Sequence, residues 1–199
     1  MAADAKVANR MQVRLTLVCS GIAAAARRGA FPADETLDEK ASASAAALKA
    51  LLAHADRALV APEMRARQTA TSLGLEAQQE RVLRDQDFGR WAGKRLEDVT
   101  QAEPQALAAW LADPDAAPGG GEAFSAVCGR AAAWLADIQR QPGHIVAVTH
   151  AAVVRAAILA VLGAPLACFA RIDVVPLSLT DLRSDGRRWV LRATGLTAR

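Results

Sequence analysis

Short runs of apolar and β-branched residues alternate along the chain with longer amphipathic or alanine-rich segments. The runs at 13–19 (VRLTLVC), 57–60 (RALV) and 144–149 (HIVAVT) predict strands, because a strand buried on both faces is apolar along its whole length. Segment 122–140 has apolar side chains at three-to-four spacing, which predicts a helix with one face on the core. The repeated strand–helix order predicts an α/β fold, a three-layer α/β/α sandwich around a mostly parallel central sheet.

Capping and turn residues indicate the ends of further elements. Asp38 is expected to cap a helix over about 38–55, and Pro62 and Gly74 are expected to bracket another helix. Asp185-Gly186 predicts a hairpin turn between two β-rich runs. The remaining predicted elements are helices at 22–28, 95–102, 104–112 and 151–162, and β-rich runs at 80–84, 171–175, 177–183 and 188–193.

Composition and charge narrow the class of protein. The chain has 199 residues, of which 52% are hydrophobic and 23% charged, as is typical of a folded domain. We expect a flexible tail at 1–11 and a single domain over 12–199. The net charge is +3 and the basic residues are spread along the chain, so a nucleic-acid partner is not expected. No apolar stretch approaches the length of a membrane span, so a membrane partner is not expected either. Three widely separated cysteines argue against a zinc site and favour a cytoplasmic location.

Three chemically distinctive segments each follow a predicted strand. Cys19-Ser20-Gly21 ends the first strand, APEMRARQTA (61–70) follows the second, and HAAVVR (150–155) follows the strand that ends at Thr149. Open, mostly parallel sheets bind ligands beyond the carboxyl ends of their strands. The sequence therefore predicts one site to which all three segments contribute.

Together with the loop LRDQDFGRWAG (83–93) and the element GGEA, these segments resemble the histidine phosphatase superfamily, the phosphoglycerate mutase-like proteins. The resemblance covers most of the chain, over about 13–191. It implies that Arg65 occupies the place of a phosphate-binding arginine and Asp85 that of the catalytic acid. It also implies that His150 occupies the place of the second catalytic histidine.

The resemblance implies a reaction as well. In this family an imidazole, within an Arg-His-Gly triplet at the end of the first strand, attacks phosphorus and becomes phosphohistidine. Arginines and the second histidine neutralise the non-bridging oxygens, and a carboxylic acid protonates the leaving oxygen. Because cationic side chains do this electrostatic work, no metal or other cofactor is implied. The expected partner is a phosphorylated small molecule or inorganic phosphate.

The chain departs from the family pattern at the triplet on which the reaction depends. Cys19 stands at the arginine position and Ser20 at the nucleophile position, and the aspartate at the acid position is one methylene shorter than glutamate. Loss of a covalent nucleophile typically lowers the rate by about four to six orders of magnitude. We therefore expect a phosphate- or phosphoester-binding protein with little or no phosphatase activity. Arg65, His150 and main-chain amides near Gly21 are expected to hold the anion.

Two other functions stay open from the sequence. A slow phosphomonoesterase could use Ser20 as its nucleophile, or a water molecule activated by His150, and the first route requires the hydroxyl to lie within hydrogen-bonding reach of the imidazole. A scaffold or interaction protein would keep only the fold. Cys19 does not fit a cysteine phosphatase, because the arginine that its phosphate loop needs would fall at Ala25. No feature of the sequence specifies the natural ligand or the oligomeric state.

Overall fold

The computed structural model describes residues 12–52 and 54–198, so the tail expected at 1–11 lies outside the described residues. Within them, six strands form one sheet: β1 Val13–Cys19, β2 Arg57–Val60, β3 Gln78–Gln79, β4 Gly143–Thr149, β5 Leu179–Ser184 and β6 Trp189–Leu196. Their order across the sheet is β3-β2-β4-β1-β5-β6. Neighbours from β3 to β1 are parallel, whereas β5 is antiparallel to β1 and β6 is antiparallel to β5. The predicted, mostly parallel sheet is confirmed.

Seven helices connect and cover these strands in the described part of the chain: α1 Ala24–Arg27, α2 Glu39–Leu48, α3 Met64–Ser72, α4 Leu96–Ala102, α5 Pro104–Ala112, α6 Phe124–Ile138 and α7 Ala151–Leu162. Helix α2 packs against α3, and α6 packs against α7. The apolar stripe predicted for 122–140 is the buried face of α6. The predicted three-layer α/β/α fold is thus confirmed. None of these helices is long and apolar enough to cross a membrane.

The central strands β1 and β4 determine where the site forms. Nearly all of their residues are buried, and the two strands pair in parallel along their full length. Their last residues, Cys19 and Thr149, are partners in this pairing. Because Ser20 and His150 come next in the chain, both side chains start from adjacent points on the same edge of the sheet.

The N-terminal end of α2 agrees with the prediction, but its C-terminal end does not. The Asp38 carboxylate accepts hydrogen bonds from the N–H groups of Lys40 and Ala41, at 2.9 and 3.3 Å, and so caps the helix as expected. The helix ends at Leu48 rather than near residue 55. It tightens there into a 3₁₀ turn over Lys49–Leu51 before the chain enters β2.

The β-rich run predicted at 80–84 is wrong. Arg81–Leu83 form a 3₁₀ turn, and the short strand β3 lies just before it. The Glu80 side chain accepts a hydrogen bond from the Val82 N–H at 3.5 Å, and the turn buries Leu83 completely. Local capping and one buried side chain therefore outweigh the β propensity of this segment.

The strand predicted at 171–175 is also wrong. A 3₁₀ helix occupies Leu166–Arg171, and the carbonyl of Ile172 accepts a hydrogen bond from Arg155 Nε at 2.7 Å. This carbonyl is thus bound by a side chain rather than by a neighbouring strand. The predicted hairpin at Asp185-Gly186 is confirmed, since it connects β5 to the antiparallel β6.

A second, smaller apolar core supports the loop that carries Asp85. This aromatic cluster consists of Phe31, Trp91, Val99 and Leu107, with Phe88 and Trp110 packed against them. The ring centroids of Phe31 and Trp91 lie 5.3 Å apart, and the rings are tilted in the way aromatic pairs prefer. The cluster gives the loop a packed base beside the carboxyl edge of the sheet.

Candidate active site

A cavity of about 300 Å³ opens where β1, β2 and β4 end. All six residues predicted from the sequence line it: Cys19, Ser20, Gly21, Arg65, Asp85 and His150. The three segments that follow strands therefore meet at one edge of the sheet, as the parallel strand order requires. Phe88 and Trp110 of the aromatic cluster form part of the opposite wall.

Ser20 and His150 are in direct contact on the floor of the cavity. The distance between Ser20 Oγ and His150 Nδ1 is 3.2 Å, and both side chains are buried. The contact follows from the register of β1 and β4, which the Ser20 N–H extends by donating to the Thr149 carbonyl at 2.7 Å. The serine hydroxyl thus lies within hydrogen-bonding reach of the imidazole, as a serine nucleophile would require.

Glu63 is a further member of this site that is not among the predicted residues. Its Oε2 atom lies 2.8 Å from His150 Nε2, and its Oε1 atom accepts a hydrogen bond from the Asp85 N–H at 3.0 Å. One carboxylate therefore holds both the imidazole and the start of the loop that carries Asp85. In the sequence Pro62-Glu63 marks only the start of a helix, and no local pattern indicates a contact with a residue 87 positions away.

The charge of Glu63 fixes the orientation of the His150 ring. Burial raises the pKa of Glu63, but the hydrogen bond and the charge of His150, with backbone N–H groups, outweigh it and hold the pKa below its ordinary value of 4.5. The carboxylate can only accept a hydrogen bond, so His150 Nε2 carries the proton. A neutral ring with this tautomer has Nδ1 as an acceptor, within hydrogen-bonding distance of the Ser20 hydroxyl.

Arg65 is bound to the predicted acid rather than projecting freely into the cavity. It is buried on α3, where its Nη2 atom forms a salt bridge with Asp85 Oδ2 and its Nη1 atom donates to the Ala33 carbonyl at 3.0 Å. The same Asp85 oxygen lies 3.8 Å from His150 Nδ1. The positive charge of Arg65 is therefore already matched by a carboxylate.

Cys19 is a buried, protonated thiol. Burial raises its pKa to about 12, the nearby charge of Asp85 adds to the increase, and Arg65 and Arg155 only partly oppose it. A thiol with this pKa is almost entirely un-ionised at neutral pH, and the thiolate is the reactive form. The side chain at the predicted arginine position thus brings neither charge nor nucleophilic sulfur to the cavity.

The main-chain amides beside Gly21 already have acceptors in this structure. The Gly21 N–H donates to Thr69 Oγ1 at 3.0 Å, and the Ser20 N–H donates to the Thr149 carbonyl. The Gly21–Thr69 bond ties the loop to α3, within which the Thr69 hydroxyl in turn donates to the Arg65 carbonyl at 2.7 Å. An anion in the cavity would meet side chains before it met these amides.

Arg155 is a charged residue of the cavity that is not in the predicted set. It lies on α7, lines the same cavity as Ser20 and His150, and is held at the wall by the hydrogen bond from its Nε atom to Ile172. It is the last residue of the HAAVVR segment, but its position relative to His150 becomes clear only when α7 is placed on the sheet. Arg155 supplies the cavity with a guanidinium separate from the Arg65–Asp85 pair.

A second histidine of the chain lies away from this site. His144 is the second residue of β4, at the opposite end of the strand from His150. Its Nε2 atom contacts Thr16 Oγ1 at 2.9 Å, and its Nδ1 atom contacts the His54 carbonyl at 2.8 Å. His144 is thus bound at the amino end of the sheet and cannot replace a nucleophile at the carboxyl end.

Solved structures with the same fold include several phosphatases. The alpha-ribazole phosphatase from Shigella flexneri is 24% identical with a TM-score of 0.83, over 92% of this chain and 96% of that chain. A mycobacterial glucosyl-3-phosphoglycerate phosphatase in complex with VO3 is 24% identical with a TM-score of 0.82, over 92% and 99% of the two chains. A phosphoserine phosphatase from Entamoeba histolytica in complex with 3-phosphoglyceric acid is 20% identical with a TM-score of 0.82, over 93% and 98%.

Identities this low establish a shared fold, and the family assignment rests on a different comparison. A search of curated protein sequences finds no match. The sequence model of the histidine phosphatase superfamily (branch 1), however, matches residues 15–197, which include the whole sheet from Leu15 onward and every residue of the cavity floor. Because this match spans nearly the entire chain, the protein belongs to the histidine phosphatase superfamily.

Proposed function

We propose that the cavity binds inorganic phosphate or the phosphoryl group of a phosphorylated small molecule, with little or no hydrolysis. The observation that carries this proposal is that Arg65, Arg155 and His150 line one cavity. Ser20 occupies the place where the family resemblance puts the attacking imidazole. The cytoplasmic location and the single domain over 12–199 stay predictions from the sequence.

The charges around the cavity predict that phosphate binds weakly. Asp85 is paired with Arg65, and Glu63 is hydrogen-bonded to His150, so two carboxylates lie beside the groups that would receive the anion. A phosphate dianion would have to compete with Asp85 for Arg65. Arg155 is the cation that it could reach without breaking that pair.

The test is a titration of the protein with phosphate and with orthovanadate. Binding is measured as a rise in melting temperature and by calorimetry. Arg65→Ala is expected to weaken the stabilisation by both anions, with Arg155 left as the remaining guanidinium of the cavity. Arg67→Ala is the matched control. Arg67 is exposed on the same helix, so this substitution removes the same charge outside the cavity. Equal responses of the two variants, or no response of the unmodified protein, would refute the proposal. The second result would favour the scaffold function.

A slow phosphomonoesterase is a second candidate, favoured by the 3.2 Å distance between Ser20 Oγ and His150 Nδ1. Hydrolysis of p-nitrophenyl phosphate is measured with and without EDTA, beside Ser20→Ala and His150→Ala. Turnover that persists in EDTA and disappears in both variants supports attack by Ser20. Turnover that disappears only in His150→Ala supports a water activated by this histidine. No turnover in the unmodified protein excludes both routes.

A further inference from the structure

We propose that Ser20, His150 and Glu63 form a nucleophile–base–carboxylate triad that hydrolyses neutral carboxylic esters. This inference goes beyond phosphate binding, although it uses the same cavity. The contacts are 3.2 Å between Ser20 Oγ and His150 Nδ1, and 2.8 Å between His150 Nε2 and Glu63 Oε2. Such triads are recognised by the geometry and roles of their members rather than by their order in the sequence.

The two ring nitrogens divide the roles that a serine hydrolase needs. A neutral His150 that donates its Nε2 proton to Glu63 Oε2, at 2.8 Å, presents Nδ1 to the Ser20 hydroxyl, at 3.2 Å, as the acceptor of its proton. As that proton arrives, the imidazole becomes a cation beside the Glu63 carboxylate, which stabilises it. Glu63 is itself held by the Asp85 N–H at 3.0 Å, so the positioning residue has a fixed orientation.

Charge matching favours a neutral substrate over a phosphate dianion for this chemistry. Arg65 is paired with Asp85 and His150 with Glu63, so the positive charges nearest Ser20 have carboxylate partners. Arg155 lines the same cavity, with its Nε atom bonded to the Ile172 carbonyl, and is the cation that we assign to the oxyanion that develops on an ester carbonyl. A neutral ester is not repelled by the carboxylates of Asp85 and Glu63. A phosphate monoester carries about two negative charges and would be repelled by both.

The wall of the cavity fits an apolar acyl group. Ile22, Phe88, Trp110 and Pro176 line it together with the polar residues. Apolar side chains around a few polar groups are the usual composition of a site for a small organic ligand. The volume of about 300 Å³ suits a short acyl chain rather than a long lipid. The inferred substrate class is therefore esters of short-chain carboxylic acids.

The proposed reaction balances with water as the co-substrate. Ser20 Oγ bonds to the carbonyl carbon, its proton passes to His150 Nδ1, and the carbonyl electron pair moves onto oxygen. The tetrahedral intermediate re-forms the carbonyl and breaks the bond to the alcohol, which leaves with the proton from Nδ1. Water then attacks the acyl-Ser20 ester by the same proton transfers, releases the carboxylic acid and restores the hydroxyl.

The experiment measures p-nitrophenyl butyrate hydrolysis by the unmodified protein, Ser20→Ala and Glu63→Gln. Glu63→Gln preserves the shape of the side chain, but its amide can donate to Nε2 and favours the opposite tautomer of His150. For Glu63→Gln we expect kcat to fall by about a thousandfold or more, or to the rate of Ser20→Ala if that limit is reached first. KM should change little. Glu76→Gln is the matched control, because Glu76 is exposed and does not line the cavity.

A second measurement does not depend on any variant folding. An alkyl fluorophosphonate is incubated with the unmodified protein, and the modified residue is identified by mass spectrometry. Labelling of Ser20, together with ester hydrolysis, supports the triad. Labelling elsewhere, no labelling, no hydrolysis, or equal hydrolysis by Ser20→Ala or Glu63→Gln would overturn it.

Phosphate titration of the same preparation separates this inference from the proposed function. Ester hydrolysis without phosphate binding refutes only the proposed function. Phosphate binding without ester hydrolysis refutes only the triad.

Discussion

Arg65 and Asp85, the predicted phosphate-binding arginine and the predicted acid, are bound to each other at the wall of the cavity. Both side chains are largely buried, with 10% and 13% of their surfaces exposed, so water screens the pair only partly. The pair places a carboxylate where an anionic ligand would bind. Under the proposed function, the affinity for phosphate depends in part on how readily Asp85 gives up its contact with Arg65.

Replacing Asp85 with asparagine should strengthen phosphate binding. The variant removes the negative charge that competes for Arg65 but keeps a side chain of the same size. The expected gain in affinity is about five- to tenfold, corresponding to about 1 kcal/mol from one carboxylate. Calorimetric titration with phosphate measures it. Asp98→Asn is the control, since it makes the same change of charge at an exposed position on α4; an equal gain in both variants would contradict the prediction.

Restoring the family triplet should create phosphatase activity. The double variant Cys19→Arg with Ser20→His supplies the attacking imidazole and a second guanidinium at the places where the resemblance puts them. We expect hydrolysis of p-nitrophenyl phosphate to rise at least about a hundredfold above that of the unmodified protein.

Two controls accompany the restored triplet. Cys19→Arg alone lacks the nucleophile and should show no gain, and adding His150→Ala to the double variant should abolish the new activity. If the double variant folds, as its melting curve would show, but stays inactive, then the rest of the site is not competent for phosphoryl transfer.

Stability should depend on Glu63 in a pH-dependent way. The folded-state pKa of Glu63 lies below its ordinary value of 4.5, so the carboxylate stabilises the fold above that pH. Its contribution is lost as the pH falls through the lowered, folded-state pKa. Urea denaturation should show Glu63→Gln to be less stable by about 1–2 kcal/mol at pH 7. The difference should shrink as the pH falls below 4.5, and one that stays constant with pH would contradict this assignment.

The cysteines should differ in reactivity with iodoacetamide at pH 8. Cys19 is buried with a pKa of about 12, so only about one thiol in ten thousand is ionised. Burial also raises the pKa of Cys128, to about 11. Cys168 is partly exposed and should be alkylated first, as peptide mass spectrometry of the native protein would show. Rapid alkylation of Cys19 would mean that the thiol is accessible and ionised after all.

The sequence is informative about the strands that form the floor of the site. The predicted runs at 13–19, 57–60 and 144–149 coincide with β1, β2 and β4 to within one residue. Strands buried on both faces give short apolar runs, and their length and flanking turn residues distinguish them from buried helix segments. Because parallel strands present their carboxyl ends at one edge, the meeting of the three following segments could be predicted from the order of the elements alone.

The contacts among the site side chains could not be predicted in this way. Glu63 reaches His150 across 87 positions of sequence, and Asp85 reaches Arg65 from a loop held by the aromatic cluster. Both contacts depend on how α3 and that loop pack against the sheet. No local sequence pattern predicts this packing. The Gly21 amide, expected to contact an anion, instead donates to Thr69 for the same reason.

The pairing of Cys19 with Thr149 has a consequence for how this protein can diverge. The backbone beneath Ser20 and His150 is anchored by two fully paired strands, so the spacing between these positions does not depend on which side chains occupy them. A lineage could exchange one reactive group for another here and keep the surrounding architecture intact. Loss of an ancestral reaction and gain of a different one would then be separated by very few substitutions.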